Sequence, residues 1–130
     1  MDRKKLFKTL ALVIILIFFA DFAAHKLHWY SSIWYFDMLM HFLGGFWAGL
    51  VLIWLLPARS RFFVYKILFG ILLVGILWEI FQILVNSAIA QNPFDALDST
   101  SDIFFDLAGG ALAVLYFSKK IMLSGSNEVE

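Results

Sequence analysis

The amino-acid sequence predicts an all-α fold, a polytopic membrane protein built as a bundle of four transmembrane helices. The chain has 130 residues, of which 62% are hydrophobic and 18% aromatic, whereas a soluble domain of this size is nearer half apolar. The apolar residues fall into four segments, each close to the ~20 residues that a helix needs to cross a bilayer. Nothing in the length indicates a second domain, so residues 1–130 form one predicted membrane domain.

The four predicted spans follow from where the apolar runs begin and end. Pro57 closes the second span because proline cannot continue the helical hydrogen-bond ladder. The fourth run is short, and it crosses a ~30 Å hydrocarbon core only if Asp102 and Asp106 are counted within it. The polar stretch 91–100 is interpreted as the one substantial loop, and the tail 121–130 as solvated and flexible. The predicted helices cover about residues 6–24, 33–56, 62–88 and 101–117.

The distribution of cations predicts the orientation in the membrane. Basic clusters precede the first span, flank the turn between the second and third, and follow the fourth, which is one side of a four-span protein. The positive-inside rule then places the N and C termini in the cytoplasm. Lys26 falls on the opposite side, beside a belt of interfacial aromatic residues. The clusters are Arg3, Lys4, Lys5 and Lys8; Arg59, Arg61 and Lys66; and Lys119 and Lys120, while the belt is Trp29, Tyr30, Trp34 and Tyr35.

The first span has an alternative interpretation. A basic start followed by an apolar stretch also describes a signal peptide that is cleaved. Phe18, Phe19 and Asp21 occupy the region where small residues should precede cleavage, which favours a retained helix. The predicted topology of the other spans is the same in both cases.

Composition also narrows the class of partner and cofactor. The formal net charge is zero and there is no basic stripe, so nucleic acid is not expected as a partner. The absence of cysteine excludes disulfide bonds and metal sites built on sulfur. The lipid bilayer is the partner that the apolar runs themselves imply.

The acidic residues lie where a membrane protein tolerates them least. Ionisable groups inside the hydrocarbon are costly unless they pair, bind a cation or line a wet cavity. In the second span Asp37 and His41 are four residues apart and therefore share a face of the helix. Gly45 and Gly49 continue that face as a small-residue stripe, which lets another backbone approach closely.

The third and fourth spans repeat this combination of polar and small residues on one face. If the three faces turn toward one another, the acids gather in the outer half of the bilayer. Their pocket would open outward, with Glu79 as its deepest acid. The stripes are Gly75, Glu79, Gln82 and Asn86 on the third span, and Asp102, Asp106, Gly110 and Ala113 on the fourth.

Several polar residues also have simpler interpretations. Ser99 and Asp102 fit a capping box at the start of the fourth helix, so Asp102 is as good a cap as a ligand. Asp98 fits a loop or N-cap position. Asp21 and His25 form a second D-x-x-x-H pair near the interface, from which both side chains could reach water.

The remaining polar residues divide into helix contacts and a primary candidate site. Gln82 and Asn86 are typical of hydrogen bonds between membrane helices. The primary set has no such local explanation, and we predict that it forms a pocket for a ligand or cation, with a divalent metal ion as one candidate. Its members are Asp37, His41, Glu79 and Asp106.

Three segments resemble those of known small membrane proteins. The second span contains FDMLMHFLGGFWAGL, which resembles the D-x-x-x-H-F segment of VanZ-like proteins. The third contains WEIFQ, which resembles their E-x-x-Q. The fourth opens with DSTSDIFFDLAGGALA, which resembles an acid-rich segment shared with the related YjdF (DUF2238) family. The resemblance runs from Asp37 to Ala113. It implies a multi-span protein of the bacterial cell envelope, located in the cytoplasmic (inner) membrane. Some members of the group are linked to tolerance of glycopeptide antibiotics such as teicoplanin.

The chain departs from both patterns at three positions. Met38 stands where VanZ-like proteins usually carry lysine, and Asp106 stands where they tend to carry asparagine. Gln82 stands where YjdF-like proteins favour a second acid. The resemblance supplies no biochemical mechanism.

Three classes of function are consistent with the acidic cluster. In the first, a divalent cation bound by the acids and His41 activates water, as in a hydrolase of lipid-linked substrates at the outer leaflet. No nucleophile motif, phosphate loop or arginine clamp accompanies the acids, so a hydrolase is not demonstrated. In the second, the pocket only binds a ligand, which could be a cation, a proton, a cationic or hydroxyl-rich head group, a peptide end, or another lipid-linked or cell-wall molecule. In the third, the stripe holds a helix bundle or homo-oligomer together. The residues do not decide whether the protein is an enzyme.

Overall fold

The computed structural model of the chain describes residues 2–56, 62–90 and 95–122. Every element in these ranges is helical. Four helices, one of them preceding a short connecting helix, are long and apolar enough to cross a membrane. The predicted fold class is therefore confirmed. The helices are α1 (Arg3–Lys26), α2 (Trp29–Ser32), α3 (Phe36–Leu55), α4 (Phe63–Val85) and α5 (Ala96–Tyr116), with π-helical turns Asn86–Ala90 and Phe117–Met122 extending α4 and α5.

The last spanning helix begins earlier than the sequence predicts. α5 starts at Ala96, and the Asp95 carboxylate accepts hydrogen bonds from two backbone amides of its first turn at 3.0 and 3.2 Å. An aspartate at this position accepts hydrogen bonds from first-turn amides that have no partner within the helix. A further acid in the first turn, here Asp98, complements the helix dipole. The predicted capping box of Ser99 and Asp102 is therefore wrong, as is the assignment of residues 96–100 to a loop. Asp98 is a first-turn residue and not a cap.

Other predicted boundaries shift by smaller amounts. α1 extends three residues before and two beyond the predicted 6–24. α3 begins at Phe36 instead of 33, because α2 and the turn after it occupy the preceding residues. Pro57, residues 91–94 of the predicted loop and residues 123–130 of the predicted tail lie outside the described residues.

The bundle is organised around α3, which packs against α1, α4 and α5. Its most extensive contact is with α5. Both helices begin at the end of the bundle opposite the N terminus, so they run in the same direction. Glycine allows this contact to be close: a Cβ added at Gly45 would overlap the backbone of Asp106, and one added at Gly109 would overlap the Phe42 carbonyl. No side chain fits between these two backbones.

Further glycines face neighbouring helices, one at this seam and two at the contact between α4 and α5. A Cβ at Gly49 would lie 2.8 Å from that of Ala113, and one at Gly75 on α4 would lie 2.9 Å from Oδ2 of Asp106. A Cβ at Gly110 would overlap the side chain of Ile71. All four glycines predicted to lie at helix contacts therefore face another helix, with Gly109 as a fifth that the sequence analysis did not single out.

The interior is divided by depth into an apolar part and a polar part. The apolar core lies toward the end that carries the N terminus, and the buried polar side chains lie toward the opposite end. Large apolar side chains such as Leu16, Phe18 and Phe19 point outward from α1, as expected for a helix that faces lipid. The apolar core consists of Leu6, Leu10, Leu50, Ile53, Ile67, Ile71, Ala113 and Phe117.

Candidate functional site

Five ionisable side chains from three helices meet in the polar half of the bundle, and we call them the polar cluster. Four of the five are buried, and Asp37 is 40% exposed. Helical spacing of four residues aligns the pair on α3 and the pair on α5, and the glycine seam brings the two faces together. The cluster consists of Asp37 and His41 of α3, Glu79 of α4, and Asp102 and Asp106 of α5.

His41 lies at the centre of the polar cluster. Its Nδ1 atom is 3.1 Å from Oδ1 of Asp106, within hydrogen-bond distance. Its Nε2 atom is 3.4 Å from Oδ2 of Asp102 and 3.9 Å from Oδ1 of Asp37. The two ring nitrogens therefore face different carboxylates. With a proton on Nδ1 donated to Asp106, Nε2 is directed between the other two acids.

Three members of the polar cluster form a group that could hold a metal ion. One donor atom from each of Asp37, His41 and Asp102 lies within 4.8 Å of the other two. Protein donors stand about 2.0–2.6 Å from Zn²⁺, Mg²⁺ or Ca²⁺, so a single ion could reach all three. Asp106, which belongs to the predicted primary set, contacts the opposite nitrogen of the imidazole. Asp102, predicted as a secondary residue, faces Nε2 together with Asp37.

Glu79 is close to this group without belonging to it. α4 runs antiparallel to α5, with Gly75 opposite Asp106 and Ile71 opposite Gly110, which places Glu79 level with Asp102. Glu79 is 5% exposed and Asp102 2%. Oε1 of Glu79 and Oδ1 of Asp102 are both buried without a hydrogen-bond partner among the described residues.

The charges of the polar cluster do not balance. Four carboxylates surround one imidazole, so even a positive His41 would leave three negative charges if every acid were ionised. Uncompensated charges are not stable in an environment of low dielectric. The cluster must therefore take up cations, protons or both. Oε1 of Glu79 and Oδ1 of Asp102, which have no hydrogen-bond partner among the described residues, are the buried atoms that such a group would contact.

Among the described residues, the polar cluster is exposed to the surface at one edge. Asp37 lies at its partly exposed edge, and Asp98, one turn before Asp102, is exposed and close enough to Asp37 for their charges to interact. His41 and Asp102 lie deeper and are buried. A small cation would therefore reach His41 and Asp102 past Asp37 and Asp98.

The other predicted candidates lie around this group. Gln82 is half-buried and Asn86 exposed, both on α4 beyond Glu79. The Asp21 carboxylate accepts a hydrogen bond from the Tyr30 hydroxyl at 2.6 Å and lies 3.5 Å from Nδ1 of His25. Burial, this hydrogen bond and the nearby acids raise the pKa of Tyr30 above its usual value. Tyr30 therefore stays a neutral donor that ties α2 to α1.

The chain was compared with known families and proteins. A family model described as a predicted membrane protein (DUF2238) matches residues 2–121. The chain belongs to the DUF2238 family. No curated protein and no solved structure matches it. The DUF2238 match covers all four spanning helices and every member of the polar cluster, whereas the VanZ-like and YjdF resemblances stay predictions.

Sequence analysis of this DUF2238 protein leaves one feature of the site open and misses another. It places Asp102 on the polar stripe with Asp106, yet interprets it equally as a cap or as a ligand. It does not single out Gly109, because only Gly110 continues the four-residue spacing. A pair of adjacent glycines one turn after two acids at that spacing is the pattern that points to both residues.

Proposed function

We propose that this DUF2238 protein binds a divalent cation in the polar cluster through Asp37, His41 and Asp102. The observation that carries the proposal is that one donor atom from each of the three residues lies close to the other two, with Oδ2 of Asp102 facing Nε2 of His41. The other carboxylate oxygen of Asp102, Oδ1, is buried without a hydrogen-bond partner among the described residues. A cation that Asp102 binds through both oxygens would supply that partner and offset the negative charge of the cluster. Carboxylate oxygens with one imidazole suit Zn²⁺ or Mn²⁺, and a site richer in oxygen suits Mg²⁺ or Ca²⁺.

The other two acids have different roles in this proposal. The Asp106 carboxylate accepts a hydrogen bond from the protonated Nδ1 of His41 and so directs Nε2 toward the cation. Carboxylates commonly orient a metal-bound histidine in this way. Glu79 lies level with Asp102 and adds negative charge to the deepest part of the site. Its unpartnered oxygen is available to a bound cation or to water that the cation carries.

The orientation of the chain determines which compartment supplies the cation. With both termini in the cytoplasm, Asp37 opens toward the outside of a bacterial inner membrane. A cation there could meet a polar ligand of the envelope, such as a lipid-linked or cell-wall molecule. The resemblance of the three spans to VanZ-like segments supports an envelope role of this kind.

The cation proposal is tested by the metal content of the purified chain. We expect about one divalent ion per wild-type chain after equilibration with Zn²⁺, Mn²⁺, Mg²⁺ or Ca²⁺ in turn, for at least one of them. The double variant Asp37→Asn, Asp102→Asn should retain almost none, because it removes two of three donors. Asp98→Asn removes a charge from a nearby exposed residue of the same helix but none of the three donors, so it should still retain about one ion per chain.

Two outcomes would contradict the proposal. A wild-type chain that binds none of the four ions would leave the polar cluster as a helix contact, and the double variant should then change only the unfolding temperature. Equal metal content in the double variant and in Asp98→Asn would place the ion elsewhere.

The proposed orientation gives a separate prediction. The natural chain has no cysteine, so single cysteines can be placed at the exposed residues Ser31 and Ser118, which lie at opposite ends of the bundle. An impermeant maleimide applied to intact cells should label Ser31→Cys and leave Ser118→Cys unlabelled. Both should react after the membrane is permeabilised. The opposite pattern in intact cells would reverse the orientation.

A further inference from the structure

A basic groove lies at the opposite end of the bundle from the polar cluster. It is formed where the start of α1 meets the end of α3, and its volume is about 360 Å³. Its floor is aromatic, since the rings of Phe7 and Trp54 are 6.2 Å apart. Three cations surround that floor, so the groove combines positive charge with apolar surface. The lining residues are Arg3, Lys4, Phe7, Lys8 and Trp54.

One of the three cations has a structural task. The Arg3 guanidinium donates a hydrogen bond to the Trp54 carbonyl at 3.1 Å and stands 5.2 Å from the centre of the Trp54 ring. That carbonyl belongs to the last turn of α3, where the helix offers no amide partner. Arg3 therefore joins α1 to the end of α3, and its guanidinium is held by both the carbonyl and the ring of Trp54.

The two lysines have no comparable task. Lys4 and Lys8 are one turn apart on α1 and share a face, and no carboxylate among the described residues pairs with either. The backbone amides at the start of α1 are not the source of the groove's affinity for anions, because the Asp2 side chain already accepts a hydrogen bond from the Lys5 amide at 3.0 Å. The free positive charge is carried by side chains that line the groove.

We infer that this groove binds the headgroup of an anionic phospholipid through its phosphate. Arginine and lysine are the residues that recognise phosphate oxygens, and a fixed guanidinium loses little freedom when it does so. Basic pockets at helix ends are where anionic headgroups bind membrane proteins. The exposed apolar residues that follow on α1, among them Leu12 and Ile15, would contact the acyl chains. Lysines whose only role is to set the orientation of the chain in the membrane would not need to line one groove with the rings of Phe7 and Trp54.

The test measures lipid affinity on the purified full chain in neutral detergent. Thermophoresis would follow titration with short-chain phosphatidylglycerol, phosphatidylcholine and inorganic phosphate. We expect saturable binding of phosphatidylglycerol that weakens with added salt, and far weaker binding of the other two. Lys8→Gln should weaken the phosphatidylglycerol affinity about fivefold and Lys4→Gln, Lys8→Gln together about thirtyfold.

Lys119→Gln is the matched control. It removes one exposed lysine from the same end of the bundle, outside the groove, and should change the affinity less than twofold. Equal losses in Lys119→Gln and Lys8→Gln would mean that only general surface charge attracts the lipid, which overturns the inference. Inorganic phosphate that binds as tightly as the lipid would assign the groove to a soluble anion. Unfolding temperatures without lipid should be alike in all variants, so a folding defect would be visible.

Discussion

Gly109→Leu is expected to prevent the native packing of α3 against α5. A Cβ at this position would overlap the Phe42 carbonyl and approach the Phe46 amide, both of which belong to the backbone of α3. A flexible side chain could move aside, but a helix backbone cannot do so without separating the two helices. Overpacking a core typically costs about 1–3 kcal/mol, and a backbone obstacle should bring the loss in unfolding free energy to the upper end of that range or beyond. Gly45→Leu meets the backbone of Asp106 and should behave alike.

Gly44→Leu is the matched control for both variants. Gly44 lies next to Gly45 on the same helix, and nothing stands within 4 Å of a Cβ added there. The substitution has the same size and a similar effect on helix propensity, so it should leave the unfolding temperature in detergent within a few degrees of wild type. The measurement is thermal unfolding followed by circular dichroism. If Gly109→Leu and Gly44→Leu unfold at the same temperature, the close α3–α5 seam is wrong.

The position of the helices was largely predictable because it depends on properties that each residue carries alone. A run of apolar residues with a length near 20 needs no knowledge of its neighbours to be assigned to a membrane span. The start of α5 was missed for a related reason. Asp95 and the acids after it are polar, and hydropathy counts them as loop even though a capped helix end favours them.

The faces of the helices were also predictable, but not the contacts within the site. Four-residue spacing places Asp37 with His41 and Asp102 with Asp106, whatever the rotation of the bundle. Which imidazole nitrogen meets which carboxylate depends on the offset between α3 and α5. That offset is set by contacts of Gly45 and Gly109 with opposing backbone, and a single sequence does not record them. A single sequence therefore does not indicate which of Asp102 and Asp106 faces Nε2 and which faces Nδ1.

The different roles proposed for Asp102 and Asp106 can be measured. If the polar cluster binds a divalent cation as proposed, Asp106→Asn should lower the affinity of the chain for it about 10- to 100-fold, the usual effect of changing the partner of a metal-bound histidine. Asparagine has nearly the same shape, so it fits against Gly75, but it accepts from Nδ1 of His41 without a negative charge. Nε2 then gives its lone pair to the cation less readily, and the orientation of the imidazole ring is fixed less firmly. Asp102→Asn should cost more, because it replaces a donor that faces Nε2 directly.

Cobalt distinguishes a positioning residue from a ligand. Co²⁺ substitutes for Zn²⁺ in sites of this kind, and its visible absorption reports the atoms bound to it. Asp106→Asn, saturated with Co²⁺, should show the band positions of wild type, since Asp37, His41 and Asp102 remain. Asp102→Asn should shift those bands even when saturated, because one carboxylate oxygen has been exchanged for an amide. A shifted spectrum in Asp106→Asn would make Asp106 a direct ligand, and the imidazole would then bind the ion through the nitrogen that faces it.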